Sequence, residues 1–166
     1  DEKRAYEHLA FVYAKAIGYG FQLGLRPQSM AALADSPIGL ATYLLDHDAR
    51  SLELIARSFD GVSEGLTPDD VLDNITLTWL TNTGVSSGRL YWENKLSFFR
   101  VKGVKVPAAV SAYPDELYQA PRSWAEQAYP KLIYYNKLDK GGHFAAWEQP
   151  KSLSEEVRAG LRSLRA

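Results

Sequence analysis

The sequence predicts an α/β chain in two stretches, with residues 1–99 all helical and residues 100–166 running strand, helix, strand, helix. Three observations predict it. Apolar residues recur at spacings of three and four throughout the first stretch. After residue 100 the texture changes to short β-branched and aromatic runs, Val104–Ala112 and Leu132–Tyr135, each preceded by lysine and followed by turn residues. Between them Pro121–Tyr129 reads as a crossover helix, which parallel strands need and a hairpin does not.

The elements follow in order. Tyr6, Leu9, Ala10, Tyr13, Ala16 and Ile17 put one apolar stripe on a helix over 1–17, and Gly18, Gly20 and Gly24 are expected to stop it. Arg26-Pro27 marks a loop, and Gln28–Ala34 a short helix. Ser36-Pro37 is a start signal, serine as N-cap and proline at the first helical position. That helix carries Leu40, Leu44 and Leu45 and continues or restarts through Leu52, Ile55 and Phe59. Thr67-Pro68-Asp69-Asp70 starts another, with acids in the first turn where the helix dipole favours them. It carries Val71, Leu72, Ile75, Trp79 and Leu80, and Leu90–Phe99 reads as one more. The two later runs read as strands buried on both faces of a parallel sheet. The last helix shows a stripe of Leu153, Val157, Leu161 and Leu164, with Ser152 and Glu155 spaced as a capping box.

Composition narrows the function classes. The chain has 166 residues, 46% hydrophobic, with a formal net charge of −1. So balanced a chain has no electrostatic reason to bind nucleic acid or an anionic membrane. It contains no cysteine, which removes disulfides, thiolate metal sites and a cysteine nucleophile. No apolar run approaches the length of a membrane span. Two parallel strands leave unpaired edges, so the sequence is expected to be the C-terminal part of a larger α/β enzyme or to borrow strands from a partner.

Candidate site residues follow from the strand ends, where ligands bind in open α/β folds. Gly141-Gly142-His143-Phe144 follows the second run, and Asp115-Glu116 follows the first. A carboxylate there can orient the histidine and fix its tautomer. Gly84-Val85-Ser86-Ser87-Gly88 matches G-x-S-x-G, which offers Ser86, Glu116 and His143 as a serine triad in chain order. The motif needs a preceding strand, and a capped helix start precedes it instead. His8 and His47 read as surface residues, and Asp69, Asp70 and Asp73 as capping residues rather than metal ligands.

Several blocks together carry a family resemblance: Ser36-Pro37-Ile38-Gly39-Leu40-Ala41, Ser87-Gly88-Arg89-Leu90-Tyr91-Trp92-Glu93-Asn94, Ser111-Ala112-Tyr113-Pro114-Asp115-Glu116-Leu117, Tyr129-Pro130-Lys131-Leu132-Ile133 and Gly141–Pro150. The chain resembles the C-terminal half of the microsomal-type epoxide hydrolases, α/β-hydrolase enzymes with a helical lid. The resemblance implies a lid over 1–99 and the last two strands and helices of the core over 100–166. It implies His143 as the water-activating base, Glu116 rather than Asp115 as its relay acid, and Tyr91 and Tyr19 as epoxide-activating tyrosines. It implies no metal or organic cofactor, and as partners a small apolar epoxide, water, and the missing nucleophile-bearing half or a second chain. A cytoplasmic location is expected. The family's aspartate nucleophile and oxyanion loop precede the lid and have no counterpart in these residues. Alone, the chain is therefore expected to be inactive. Two alternatives stand beside this reading, a serine esterase using Ser86 and a non-catalytic binding module.

Overall fold

A computed structural model describes residues 1–46, 49–62, 65–94, 101 and 103–165. In chain order the helices and strands are α1 (Glu2–Phe11), a π-helical stretch (Val12–Ala16), α2 (Gly18–Leu25), a 3₁₀ helix (Pro27–Ala34), α3 (Pro37–Leu45), α4 (Ala49–Phe59), α5 (Pro68–Leu80), α6 (Arg89–Glu93), β1 (Ala108–Ala112), α7 (Arg122–Ala128), β2 (Leu132–Lys137), α8 (Ala145–Glu148) and α9 (Pro150–Gly160). Single 3₁₀ turns precede α6 and follow α9. No helix among the described residues is long and apolar enough to cross a membrane. The chain forms two compact units, Tyr13–Ser97 and Asp1–Val12 with Phe98–Ala166.

The helical unit closes on Leu23, Met30, Leu33 and Leu40, with Tyr43, Leu44, Trp79 and Tyr91 packed against them. Two of its helices, α3 and α5, start where the sequence signals them. The Gly39 N–H donates to Ser36 Oγ at 3.3 Å, capping α3. Thr67 and Asp70 form a reciprocal capping box at α5. The glycines expected to end the first helix instead lie inside α2. Side chains at Gly20 and Gly24 would meet Tyr91, at 3.8 Å from its ring and 3.5 Å from its carbonyl oxygen. These are ordinary van der Waals distances, so Gly20 and Gly24 simply lie in α2 beside α6, while the helical run that starts at Glu2 does break at Ile17, just before Gly18. Leu52 and Phe59 of α4, expected inward, are exposed, and Ser51 and Ser58 are buried instead. The predicted helix over 90–99 ends at Glu93, and residues 95–100 lie outside those described.

In the second unit β1 and β2 pair in parallel, Val110 opposite Tyr135 and Ala112 opposite Lys137. Pairing begins only at Ala108, after Pro107, whose missing N–H cannot join a ladder; the Ala108 N–H donates to the Lys131 carbonyl at 3.0 Å. The strands are half-buried rather than buried on both faces, and Ile133 is 38% exposed. The reason is simple: a two-stranded sheet has too few neighbours to cover both faces.

The last helix also differs from its expected pattern. α9 starts at Pro150 with Gln149 as N-cap, so Ser152 lies inside it and makes no cap. Val157, Leu161 and Leu164 are exposed. The face turned to the sheet is Glu156 and Gly160. Glu156 accepts from Ser111 Oγ at 2.7 Å, Asn136 Nδ2 at 2.8 Å and the Tyr134 hydroxyl at 3.1 Å. A side chain at Gly160 would meet Ala109 Cβ at 2.8 Å.

The first helix, read from sequence with the helical stretch, belongs to this second unit. Ala5 is buried, Tyr6 packs edge-on against Trp124, and Lys137 pairs with Asp1 at 3.0 Å. Its inward residues are Ala5 and Leu9, so Leu9 of the expected stripe faces inward while Tyr6 and Ala10 are exposed.

Candidate active site

The carboxyl ends of β1 and β2 are tied together before any site residue is placed. The Leu138 N–H donates to the Ala112 carbonyl at 3.0 Å. Gln119 Nε2 bridges the same ends, donating to the carbonyls of Ala112 at 3.0 Å and Leu138 at 3.2 Å. Further out, the Asp115 N–H donates to the Gly141 carbonyl at 3.1 Å, and Asp115 and Gly142 form an isolated parallel bridge. The two loops therefore leave the sheet in register.

The paired glycines make that approach possible. Gly141 has φ +100°, a conformation that suits glycine. A Cβ there would stand 2.8 Å from the Tyr113 ring, and one on Gly142 would stand 2.9 Å from the Asp115 carbonyl oxygen. Backbone runs where side chains would otherwise keep the loops apart.

His143 and Glu116 meet across this junction. His143 Nδ1 lies 2.7 Å from Glu116 Oε1. An ionised carboxylate only accepts, so Nδ1 carries the proton and Nε2 is left as the basic nitrogen. The same Oε1 accepts the Leu117 N–H at 2.7 Å, which fixes the carboxylate against its own backbone. Both side chains remain about a third exposed, at 34% for His143 and 36% for Glu116. Asp115, the neighbouring acid, contributes backbone to the loop junction. Tyr118 lies beside this acid; burial first, then Tyr129 and Glu116, raise its phenol pKa.

Tyr19 on α2 and Tyr91 on α6 also meet, within the helical unit. Their ring centroids are 5.9 Å apart with planes at 88°. Edge-on packing leaves two phenols on neighbouring helices, a paired hydrogen-bond donor set.

Ser86 lies in no strand–turn–helix elbow. It occupies a 3₁₀ turn between α5 and α6, its hydroxyl donating to the Thr83 carbonyl at 3.2 Å. The glycines of the motif have another purpose. A Cβ on Gly84 would stand 3.0 Å from Leu40, and one on Gly88 would stand 2.8 Å from Leu23. The G-x-S-x-G match is a packing feature of the helical core. His8 is an exposed residue of α1, and His47 lies outside the described residues.

No family model matches the chain. Over its whole length it is 41% identical to a protein of Stigmatella aurantiaca (strain DW4/3-1) named "Putative epoxide hydrolase", covering 37% of that protein. Over 85% of its length it is 35% identical to epoxide hydrolase 1 of Sus scrofa, covering 33% of it. The chain is homologous to the epoxide hydrolases. It superposes on the crystal structure of juvenile hormone epoxide hydrolase from the silkworm Bombyx mori with a TM-score of 0.76 at 27% identity, over 96% of this chain and 39% of that one. On Aspergillus niger epoxide hydrolase the TM-score is 0.78 at 22% identity, over 99% and 40%. The fold is thus part of an α/β-hydrolase, as the sequence blocks implied. The chain spans about a third of the length of the curated epoxide hydrolases it matches.

Sequence reasoning missed three contributors. Gln119 holds the strand ends, and its signal was only a glutamine shortly after the acid. Gly141 carries the left-handed turn, which the glycine pair suggested without saying which residue bends. Tyr43 on α3 is the third. Its spacing from Leu40 put it on the core side of the helix, where a phenol needs a partner.

Proposed function

We propose that these residues act in epoxide hydrolysis, with a carboxylate nucleophile supplied by sequence outside them. The observation that carries this reading is the 2.7 Å contact between His143 and Glu116 at the ends of adjacent parallel strands. The family relationship supplies the reaction, and the dyad supplies its second half.

In the first half a carboxylate oxygen attacks one epoxide carbon. The C–O bond breaks and leaves an oxyanion, which the phenols of Tyr19 and Tyr91 stabilise by hydrogen bonding as it forms. In the second half His143 Nε2 takes a proton from water, and the resulting hydroxide attacks the ester carbonyl. Glu116 holds the imidazole in the required tautomer and offsets its charge once protonated. The product is a vicinal diol. Residues 13–97 act as the lid, and their apolar core suits a small apolar epoxide.

The test is a His143→Gln variant of the enzyme completed with its nucleophile-bearing half. Exposed to styrene oxide, it should open the ring once per site and stop. Mass spectrometry should then show enzyme plus one substrate mass. A variant that loses turnover without accumulating this adduct overturns the two-step assignment. Ser86→Ala should leave turnover unchanged, and its inactivity would restore the serine-esterase alternative.

A further inference from the structure

Tyr43 is used by no step above, yet its hydroxyl is buried and has no hydrogen-bond partner among the described residues. Buried polar groups without a partner are rare, and each calls for a reason. The surroundings of Tyr43 point to one. Its ring packs on the same apolar cluster as Tyr91, around Leu23, Met30, Leu33 and Leu40. Burial pushes its pKa up to about 12, and the phenols of Tyr91 and then Tyr19 add to the rise. Tyr43 is therefore a neutral donor with an unused proton, held on the core that also holds Tyr91.

We propose, resting on the epoxide-hydrolysis reading, that Tyr43 is a positioning residue for Tyr91. Its hydroxyl donates a hydrogen bond to the Tyr91 oxygen when that oxygen gives its own proton to the opened epoxide. The balance is as follows. The nucleophilic carboxylate oxygen bonds to the epoxide carbon, and the electron pair of the broken C–O bond stays on the epoxide oxygen. That oxygen takes the Tyr91 proton, and the negative charge moves to the Tyr91 oxygen. Hydrolysis of the ester consumes one water, regenerates the carboxylate and returns a proton to Tyr91. A hydrogen bond from Tyr43 matters most while Tyr91 is charged, because charge-assisted hydrogen bonds are roughly twice as strong as neutral ones.

Three measurements decide it. In the completed enzyme, single-turnover adduct formation from styrene oxide is followed for Tyr43→Phe, Tyr91→Phe and the double variant. Tyr43→Phe should slow ring opening roughly tenfold to a hundredfold, the range for a lost hydrogen bond to a charged group. With phenylalanine already at position 91, the same change should matter by about twofold or less. Equal penalties in both backgrounds overturn the proposal. In the 166-residue chain itself, tyrosine labelled with ¹³C at Cζ gives a signal for Tyr43, assigned by its disappearance in Tyr43→Phe. As pH is raised until Tyr91 ionises, that signal should move, and it should not move over the same range in Tyr91→Phe; identical behaviour in the two proteins overturns the proposal independently. Tyr43→Phe should also keep or raise the thermal midpoint, because it removes a buried hydroxyl with no partner. A rate loss matched by loss of folded protein overturns the positioning role. A parent enzyme that forms no adduct refutes the epoxide reading, while the labelled-tyrosine comparison still decides the Tyr43 contact.

Discussion

His143 Nδ1 and Glu116 Oε1 stand 2.7 Å apart although 27 residues separate them in sequence. The contact is made by two loops that leave neighbouring parallel strands and are bridged by backbone at Asp115 and Gly142. It selects one of two adjacent acids by geometry.

The acid pair yields the first prediction. Glu116→Gln keeps the size of the side chain but removes the charge that holds the Nδ1 proton. Ester hydrolysis in the completed enzyme should fall by roughly 10²-fold or more. In the chain alone, ¹⁵N NMR should show the His143 tautomer balance change. Asp115→Asn should do far less in both measurements. A larger effect at Asp115 would move the relay acid one residue back.

The tyrosine pair of the helical unit yields the second. Tyr19→Phe and Tyr91→Phe should each slow ring opening by roughly 10²–10³, the loss seen when one oxyanion donor is removed. Ester hydrolysis should be nearly unaffected, because the dyad is intact. Rapid-quench measurement of adduct formation and decay separates the two steps, and unchanged formation rates would remove both residues from the site.

The third concerns Gly141. Gly141→Ala places a side chain on a left-handed backbone, at roughly 1–2 kcal/mol from the backbone alone. It also drives a Cβ to 2.8 Å from Tyr113. The urea midpoint should fall, and the His143–Glu116 contact should loosen with it. A stable Gly141→Ala protein with unaltered His143 resonances would contradict this account of the loop.

The fourth concerns pH and the start of α5. The hydrogen bonds from the Thr67 side chain and backbone lower the Asp70 pKa below the usual 3.8. A lowered carboxyl favours the folded helix end above the unfolded value. That contribution disappears as pH falls through the lowered folded value. The protection of the Thr67 and Asp70 amides, taken relative to intrinsic exchange at each pH, should therefore hold at pH 5 and above and fall below about pH 4. Thr67→Val should weaken this pH dependence, since it removes the side-chain hydrogen bond and keeps the backbone one.

Elements with local codes were legible. Ser36-Pro37 and Thr67-Pro68-Asp69-Asp70 specify helix starts because cap and recipient lie three residues apart on one chain. The Ser152–Glu155 spacing looked the same and formed nothing. Pro150 opens that helix two residues earlier, and the Glu156 contacts with the sheet set its face. Gly18, Gly20 and Gly24 read as a stop, and the run does break before Gly18, but Gly20 and Gly24 fall inside α2 beside Tyr91.

The family resemblance implied the two tyrosines; by itself the sequence determined an acid and then a histidine after two strand-like runs, with helices first and a parallel βαβ unit after. Those follow from residue type, periodicity and spacing, which are properties of neighbouring residues. Tertiary structure alone decided which glycines are turns and which are contacts, and that the Ser86 motif is core packing; it also brought Glu116, the acid the family blocks implied, to 2.7 Å from His143. It also left the Tyr43 hydroxyl buried without a hydrogen-bond partner among the described residues. Each depends on residues far apart in sequence and on ångström-scale distances, and no local pattern encodes either.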